Sequence, residues 1–196
     1  MFDKEVISRI TKFAVDNSSK DDIHGFNHVE RVYDMCIKIG KKLDANIDLL
    51  KITALLHDIG RIDEKCDTLK RNHAEISAEK AFNFLTSQNF NIPRDDINKI
   101  IHNIKAHSFS NNVIPQTLEA KILSDVDKLD ALGAIGLYRT IGYTIKKNGG
   151  LDQVIEHLEN KILKLKNLLY LSIAKKIAKE RESIIYDFYK KILRKR

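Results

Sequence analysis

Residues 48–61 read DLLKITALLHDIGR. At 3.6 residues per turn, Leu49, Leu50, Ile52, Ala54, Leu55, Leu56 and Ile59 cover nearly the whole circumference of a helix. The stretch therefore predicts a buried helix from about Asp48 to Ile59, with Gly60 as its stop. His57 and Asp58 are the anomaly in it. An unpaired buried carboxylate costs several kcal/mol, so such a group is expected to be paired, protonated or bound to a metal. Neighbouring helical residues point about 100° apart. Both side chains reach one ion only if it lies near the helix end, with further ligands arriving from elsewhere.

Working outward, the same helical period recurs. A helix is predicted from about Asp3 to Asp16, with Val6, Ile10 and Phe13 on one stripe, and it ends in the polar run at 17–22. Another begins just after Asn27, which with Glu30 resembles a capping box. Further helices are expected over Ala74–Leu85, from Pro93 towards Ala106, and over about Thr117–Leu132, with a loop at SFSNNVIPQ. Gly149-Gly150 sets off a C-terminal helical region, 151–196. Eight Gly and two Pro in 196 residues leave few breakers, and the fold class reads all-α, a helical bundle. One domain spanning 1–196 with one core is the expectation for this length.

Composition narrows the function. The chain carries 43% hydrophobic and 31% charged residues, ordinary for a globular protein. Cys36 and Cys66 form neither a disulfide framework nor a Cys-x-x-Cys knuckle, which fits a reducing compartment. The N-terminus MFDKEVISRI lacks an apolar signal core, and the longest apolar stretch, Leu168 to Ala174, is too short to span a bilayer, so a cytoplasmic protein without a membrane partner is expected. The formal charge of +7 is concentrated in residues 161–196, whose net charge is +9; the rest of the chain is slightly acidic. An apolar stripe runs beside those charges (Ile162, Leu165, Leu168, Leu169, Ile173, Ile177, Ile184, Ile185, Phe188), so a solvated amphipathic helix is favoured there over a nucleic-acid contact. The basic tip Lys190, Lys191, Arg194, Lys195 and Arg196 is expected to be structural. GxxxxGK[ST], GxGxxG after a strand, GxSxG and HExxH are all missing, so P-loop, dinucleotide-fold, serine-hydrolase and zincin readings have no support.

A second apolar helix with unexplained acids is KILSDVDKLDALGAIG, where Asp125, Asp127 and Asp130 sit among Ile122, Leu123, Val126, Leu129 and Leu132. The order His28, His57-Asp58, Asp127, inside the phrases HGFNHVERV, ALLHDIGR, NHAEISAEKA and EAKILSDVDKLDALGAIG, resembles the HD superfamily of metal-dependent phosphohydrolases, and most of all its small stand-alone members. The resemblance covers about 21–140. It implies a helical bundle in which His28, His57, Asp58 and Asp127 hold one divalent cation. Two imidazoles and two carboxylates suit Mn, Fe, Co, Ni, Mg or Zn without choosing among them.

Three more histidines fall within the resemblance: His73, His102 and His107. Superfamily phosphodiesterases use extra histidines for a second metal, but their adjacent His-His pair is missing here. Contact with the substrate phosphate, or support of the metal ligands from behind, is therefore favoured for these three over a second metal ion or a purely structural role. Arg61 stands where many relatives have Lys, and an arginine there can clamp phosphate bidentately. Relatives that cleave guanosine tetraphosphate, and some nucleotidases, carry Glu at that position, so Arg61 argues against those two activities. Arg31, three residues after His28, is a candidate to orient a ligand. Lys128 is a candidate to neutralise charge.

The function expected is hydrolysis of a phosphate ester or anhydride, of a nucleotide by preference, with Asp58 as ligand and proton acceptor and Arg61 or Lys128 balancing charge. The partner is then a small phosphorylated molecule rather than a nucleic acid, and monomer and homodimer both stay open. The alternative is a non-catalytic module whose metal is structural and whose basic C-terminal helix contacts nucleic acid or a protein.

Overall fold

The computed structural model of the protein describes residues 3–194, and among them helices account for all regular structure. They are α1 (Lys4–Asp16), α2 (Phe26–Lys42), α3 (Ile47–Leu56), α4 (His73–Ser87), α5 (Arg94–His107), α6 (Leu118–Asp130), α7 (Gly133–Lys146), α8 (Leu151–Asn160) and α9 (Ser172–Leu193). The all-α expectation holds. No helix among the described residues is long and apolar enough to cross a membrane.

The chain divides into two compact units, Met1–Ser124 and Asp125–Arg196, with the division inside α6 rather than at Gly149-Gly150. In the first unit α3 is the central element. It packs on α2, α1, α5 and α4, and Leu49, Ile52, Leu55, Leu56 and Ile59 join Ile10, Val29, Ala78, Leu85, Ile100 and Ile104 in one core. Each such aliphatic side chain withdrawn from water contributes about 1.5–3 kcal/mol, which is why a helix apolar all round settles in the middle.

In the second unit α7 packs on α9 and α8. The C-terminal region is not one continuous helix: a 3-10 segment (Ile162–Leu168) precedes α9, and the break places the backbone N–H groups of Tyr170 and Leu171 on the Asp125 carboxylate at 2.8–3.1 Å. Asp130 pairs with Arg139 at 2.6 Å. Two of the three acids that looked anomalous in α6 thus have local structural partners. Ile162, Leu165, Leu169 and Ile185 of the predicted stripe are buried and Leu168, Ile173, Ile177 and Phe188 half-buried, but Ile184 is exposed, as are Lys190, Lys191 and Arg194; Lys195 and Arg196 lie outside the described residues.

Two local expectations change. Asn27 does not cap α2, whose cap is Gly25; the Asn27 amide instead donates to Asp22 at 2.9 Å. A Cβ on Gly25 would lie 2.0 Å from the Asp21 carbonyl oxygen and 2.5 Å from that of Ser19, so only glycine lets this loop fold against itself. The second change is the end of α3, at Leu56 rather than Ile59. From His57 the chain continues in turns, with Arg61 N–H bonded to the Asp58 carbonyl at 3.0 Å. Gly60 serves this corner by close approach: a Cβ there would meet Ser77 N at 2.5 Å and His73 O at 2.8 Å, both backbone atoms of α4, and the Gly60 N–H donates to Ser77 Oγ at 2.9 Å. Backbone cannot yield as a flexible side chain does. Gly60→Ala should therefore lose about 2 kcal/mol of stability through overpacking, read as a lower urea midpoint at unchanged slope; an unchanged midpoint would refute this account of the corner.

Candidate metal centre

His28 sits in the first turn of α2, its N–H bonded to the Gly25 carbonyl at 3.0 Å, and its side chain is fully buried. His57 and Asp58 follow the last residue of α3. His57 keeps helical backbone angles (φ −63°, ψ −34°) as the cap of α3, and the two adjacent side chains meet His28 just beyond the helix end. The His57 and His28 Nε2 atoms are 3.3 Å apart, and Asp58 Oδ2 lies 3.9 and 3.7 Å from them. His73 at the start of α4 and His107 at the end of α5 form a second pair, Nε2 to Nε2 3.3 Å, each 3.5 Å from Asp58 Oδ1. One buried carboxylate thus faces two histidine pairs, one at each oxygen. Each set of three could hold a metal ion.

The donor atoms are prepared for ligation. His57 Nδ1–H donates to the Ala54 carbonyl at 2.8 Å and His107 Nδ1–H to the Ile104 carbonyl at 2.6 Å. His73 Nδ1 faces Glu64 Oε1 at 3.3 Å, and the same oxygen accepts the His73 backbone N–H at 3.0 Å. A neutral imidazole with its proton on Nδ1 keeps the Nε2 lone pair for a cation, and orienting bonds of this kind are the usual companions of metal-bound histidine. Lone pairs facing each other across 3.3 Å repel unless a proton or a cation lies between them. This chemistry fits a divalent metal.

Arg61 closes the carboxylate side. Its Nε donates to Asp58 Oδ2 at 2.8 Å, and one Nη donates to Asp58 Oδ1 at 3.0 Å and to His73 Nε2 at 2.9 Å. Burial opposes ionisation of Asp58, but Arg61, His57, His107 and His73 outweigh it and hold the carboxyl well below the usual carboxylate range. Burial pushes the His73 imidazole down. The bond to His73, against a smaller effect of burial, brings the Glu64 carboxyl from 4.5 to about 2. A carboxyl depressed on folding adds stability above its unfolded value, and that stability is lost as pH falls through the folded one. The stability gap between wild type and Glu64→Gln should therefore be full at pH 6 and shrink from about pH 4.5 towards 2; a gap independent of pH would refute the Glu64–His73 pairing.

The predicted residues do not all converge. His28, His57, Asp58, Arg61, His73 and His107 do. His102 does not join them: it is half-buried, and its Nε2 accepts the Gln116 N–H at 3.1 Å, fastening the loop after α5. Arg31 lies in a groove with Phe26, Asn27, Tyr33 and Leu55. Asp127, half-buried, and Lys128, buried, lie on α6 beyond Ser124, in the second unit. Burial pulls the Lys128 ammonium down while Asp127 and Asp125 push it up, with a net lowering. Glu64 stands in no apolar stripe and no familiar phrase; Ser77 lies within NHAEISAEKA, but nothing in that phrase points to its bond with the Gly60 N–H. The choice of His107 over His102 was legible: His107 continues the stripe Ile97, Ile100, Ile104, all buried.

An all-helical fold whose buried histidines and aspartate can hold a metal is the architecture of a metal-binding HD hydrolase. The HD domain family model matches residues 25–132, and the chain belongs to that family. It is similar to the uncharacterized protein YpgQ of Bacillus subtilis (strain 168), 28% identical over 198 residues, covering 96% of this chain and 91% of that one. The crystal structure of Bacillus subtilis YpgQ in complex with ADP superposes with a TM-score of 0.77 at 26% identity, covering 98% of this chain and 95% of that chain. An HD-superfamily hydrolase from Bacillus thuringiensis gives 0.73 at 26% identity over 98% of this chain and 97% of that one.

Proposed function

We propose that this protein is a metal-dependent phosphohydrolase acting on a phosphate ester or anhydride of a nucleotide. The observation that carries the reading is the buried Asp58 carboxylate with a histidine pair at each oxygen. The ADP held by YpgQ supports the choice of a nucleotide. His28, His57 and Asp58 are the ligands, and the resemblance of the SDVDK phrase assigns Asp127 as the fourth. When bound, a divalent cation neutralises charge on a phosphoryl oxygen and acidifies a coordinated water.

The chain's own residues supply the rest. The Ala54 carbonyl fixes His57 as an Nε2 donor, and the Arg61 guanidinium keeps Asp58 ionised and able to accept a proton. The Arg61 side chain is 26% exposed, within reach of an anionic substrate, and guanidinium geometry suits phosphate oxygens. Lys128 is assigned a charge-neutralising role from its place beside Asp127, and Arg31 and His102 remain candidates for substrate contact. The test is hydrolysis of a nucleotide panel with Mn²⁺ and then with chelator. Phosphate or pyrophosphate release that depends on the metal is the expected result. A panel inert under both conditions, with metal shown to be bound, would overturn the reading in favour of a non-catalytic module.

A further inference from the structure

Arg61 and the second histidine pair fall outside the reading of one metal held by His28, His57, Asp58 and Asp127. The set Asp58, His73, His107 could hold a metal ion, but the one lone pair of His73 Nε2 is in use. With the His73 Nδ1 proton directed at Glu64, the His73 Nε2 atom has one lone pair, and an Arg61 Nη–H occupies it at 2.9 Å. The same Nη donates to Asp58 Oδ1 at 3.0 Å, the oxygen that His73 and His107 face at 3.5 Å each. A ring nitrogen has a single lone pair, which serves a hydrogen bond or a metal and not both, whereas each oxygen of Asp58 keeps a second lone pair beside its bond to Arg61 and Oδ2 can still ligate. At His73 the guanidinium also stands where a second dication would have to sit, and repels it. A guanidinium also stays charged at any pH the protein meets.

We propose that Arg61 is a resident cation in the second metal position: its guanidinium takes the place of an ion at Asp58, His73 and His107 and limits the centre to a single metal. The inference rests on the metal-dependent reading and deepens it. Its chemistry is a competition between an arginine side chain and a divalent cation for the His73 Nε2 and Asp58 Oδ1 donors. Arg61 is then the residue that decides nuclearity, and it carries out the neutralisation of Asp58 Oδ1 that a second ion would otherwise supply.

Titration of the full chain with Mn²⁺, by calorimetry and by equilibrium dialysis, reads the outcome without reference to activity. Wild type should bind one ion per chain, and Arg61→Ala and Arg61→Gln should bind two. The double variant Arg61→Ala/His107→Ala should return to one, which locates the second ion. In the two-ion variants the Mn²⁺ resonance spectrum should show spin coupling that wild type lacks. Two ions in wild type, or one ion in both single variants with native helical content, would overturn the inference while leaving the hydrolase reading in place. No ion in any of the proteins would remove both together.

Discussion

Asp58→Asn should keep its helical circular dichroism and lose hydrolysis by roughly 10³-fold, the scale of removing a group that acts directly in acid–base or metal-assisted chemistry. The fold should survive because an amide preserves the shape and can still find partners: its oxygen accepts from Arg61 Nε, and its NH₂ can donate to the Nε2 atom of His107, which lies 3.5 Å from Oδ1 in the native protein. The activity cannot survive in the same way. The amide carries no negative charge to hold a cation beside His28 and His57, and it cannot accept a proton at neutral pH. Initial rates on whichever nucleotide the wild type hydrolyses, at saturating Mn²⁺, measure the effect. Activity within tenfold of wild type would remove Asp58 from the centre of the chemistry.

The second expected result is thermal. An ion that binds only the folded chain stabilises it by about 2.7 kcal/mol at a concentration 100 times its Kd, which for a chain of this size raises the melting temperature by roughly 5 to 10 °C. Asp58→Leu should lose most of that increment, because His28, His57 and Asp127 remain with one carboxylate fewer to balance the dication. Its melting temperature in chelator is a separate quantity, set by the opposing effects of removing a buried charge and leaving Arg61 without its partner. The comparison is therefore the metal-induced shift within each protein. Equal shifts in wild type and Asp58→Leu would mean that Asp58 is not a ligand. The same melts on Asp127→Asn examine the fourth ligand assigned from the SDVDK phrase, and a wild-type shift there would strike it from the set.

The part of this protein that its sequence determined is the part governed by short range. Period and breaker content set the helices, since a helix closes its own hydrogen bonds within four residues and shows its buried face as a stripe. The apolar circumference of α3 marked it as the buried element, and the same property made His57 and Asp58 conspicuous at its end. His28 came only through its place in a longer phrase.

Tertiary structure decided what depends on approach between segments distant in the chain. Glu64 could not be connected with His73 from sequence, because the 3-10 turn (Asp63–Lys65) and the start of α4 meet only in the folded protein. The acids at 125 and 130 are unexplained in the sequence, and only the folded chain brings them their partners, the Tyr170 and Leu171 N–H groups and Arg139. Above all, local pattern predicted that α3 would run on to Ile59. The helix instead ends at Leu56, and Gly60 sets the corner after it against the backbone of α4. Periodicity within one segment records which face is buried; which atoms then face each other across that buried space depends on how the helices cross, and no single segment encodes it.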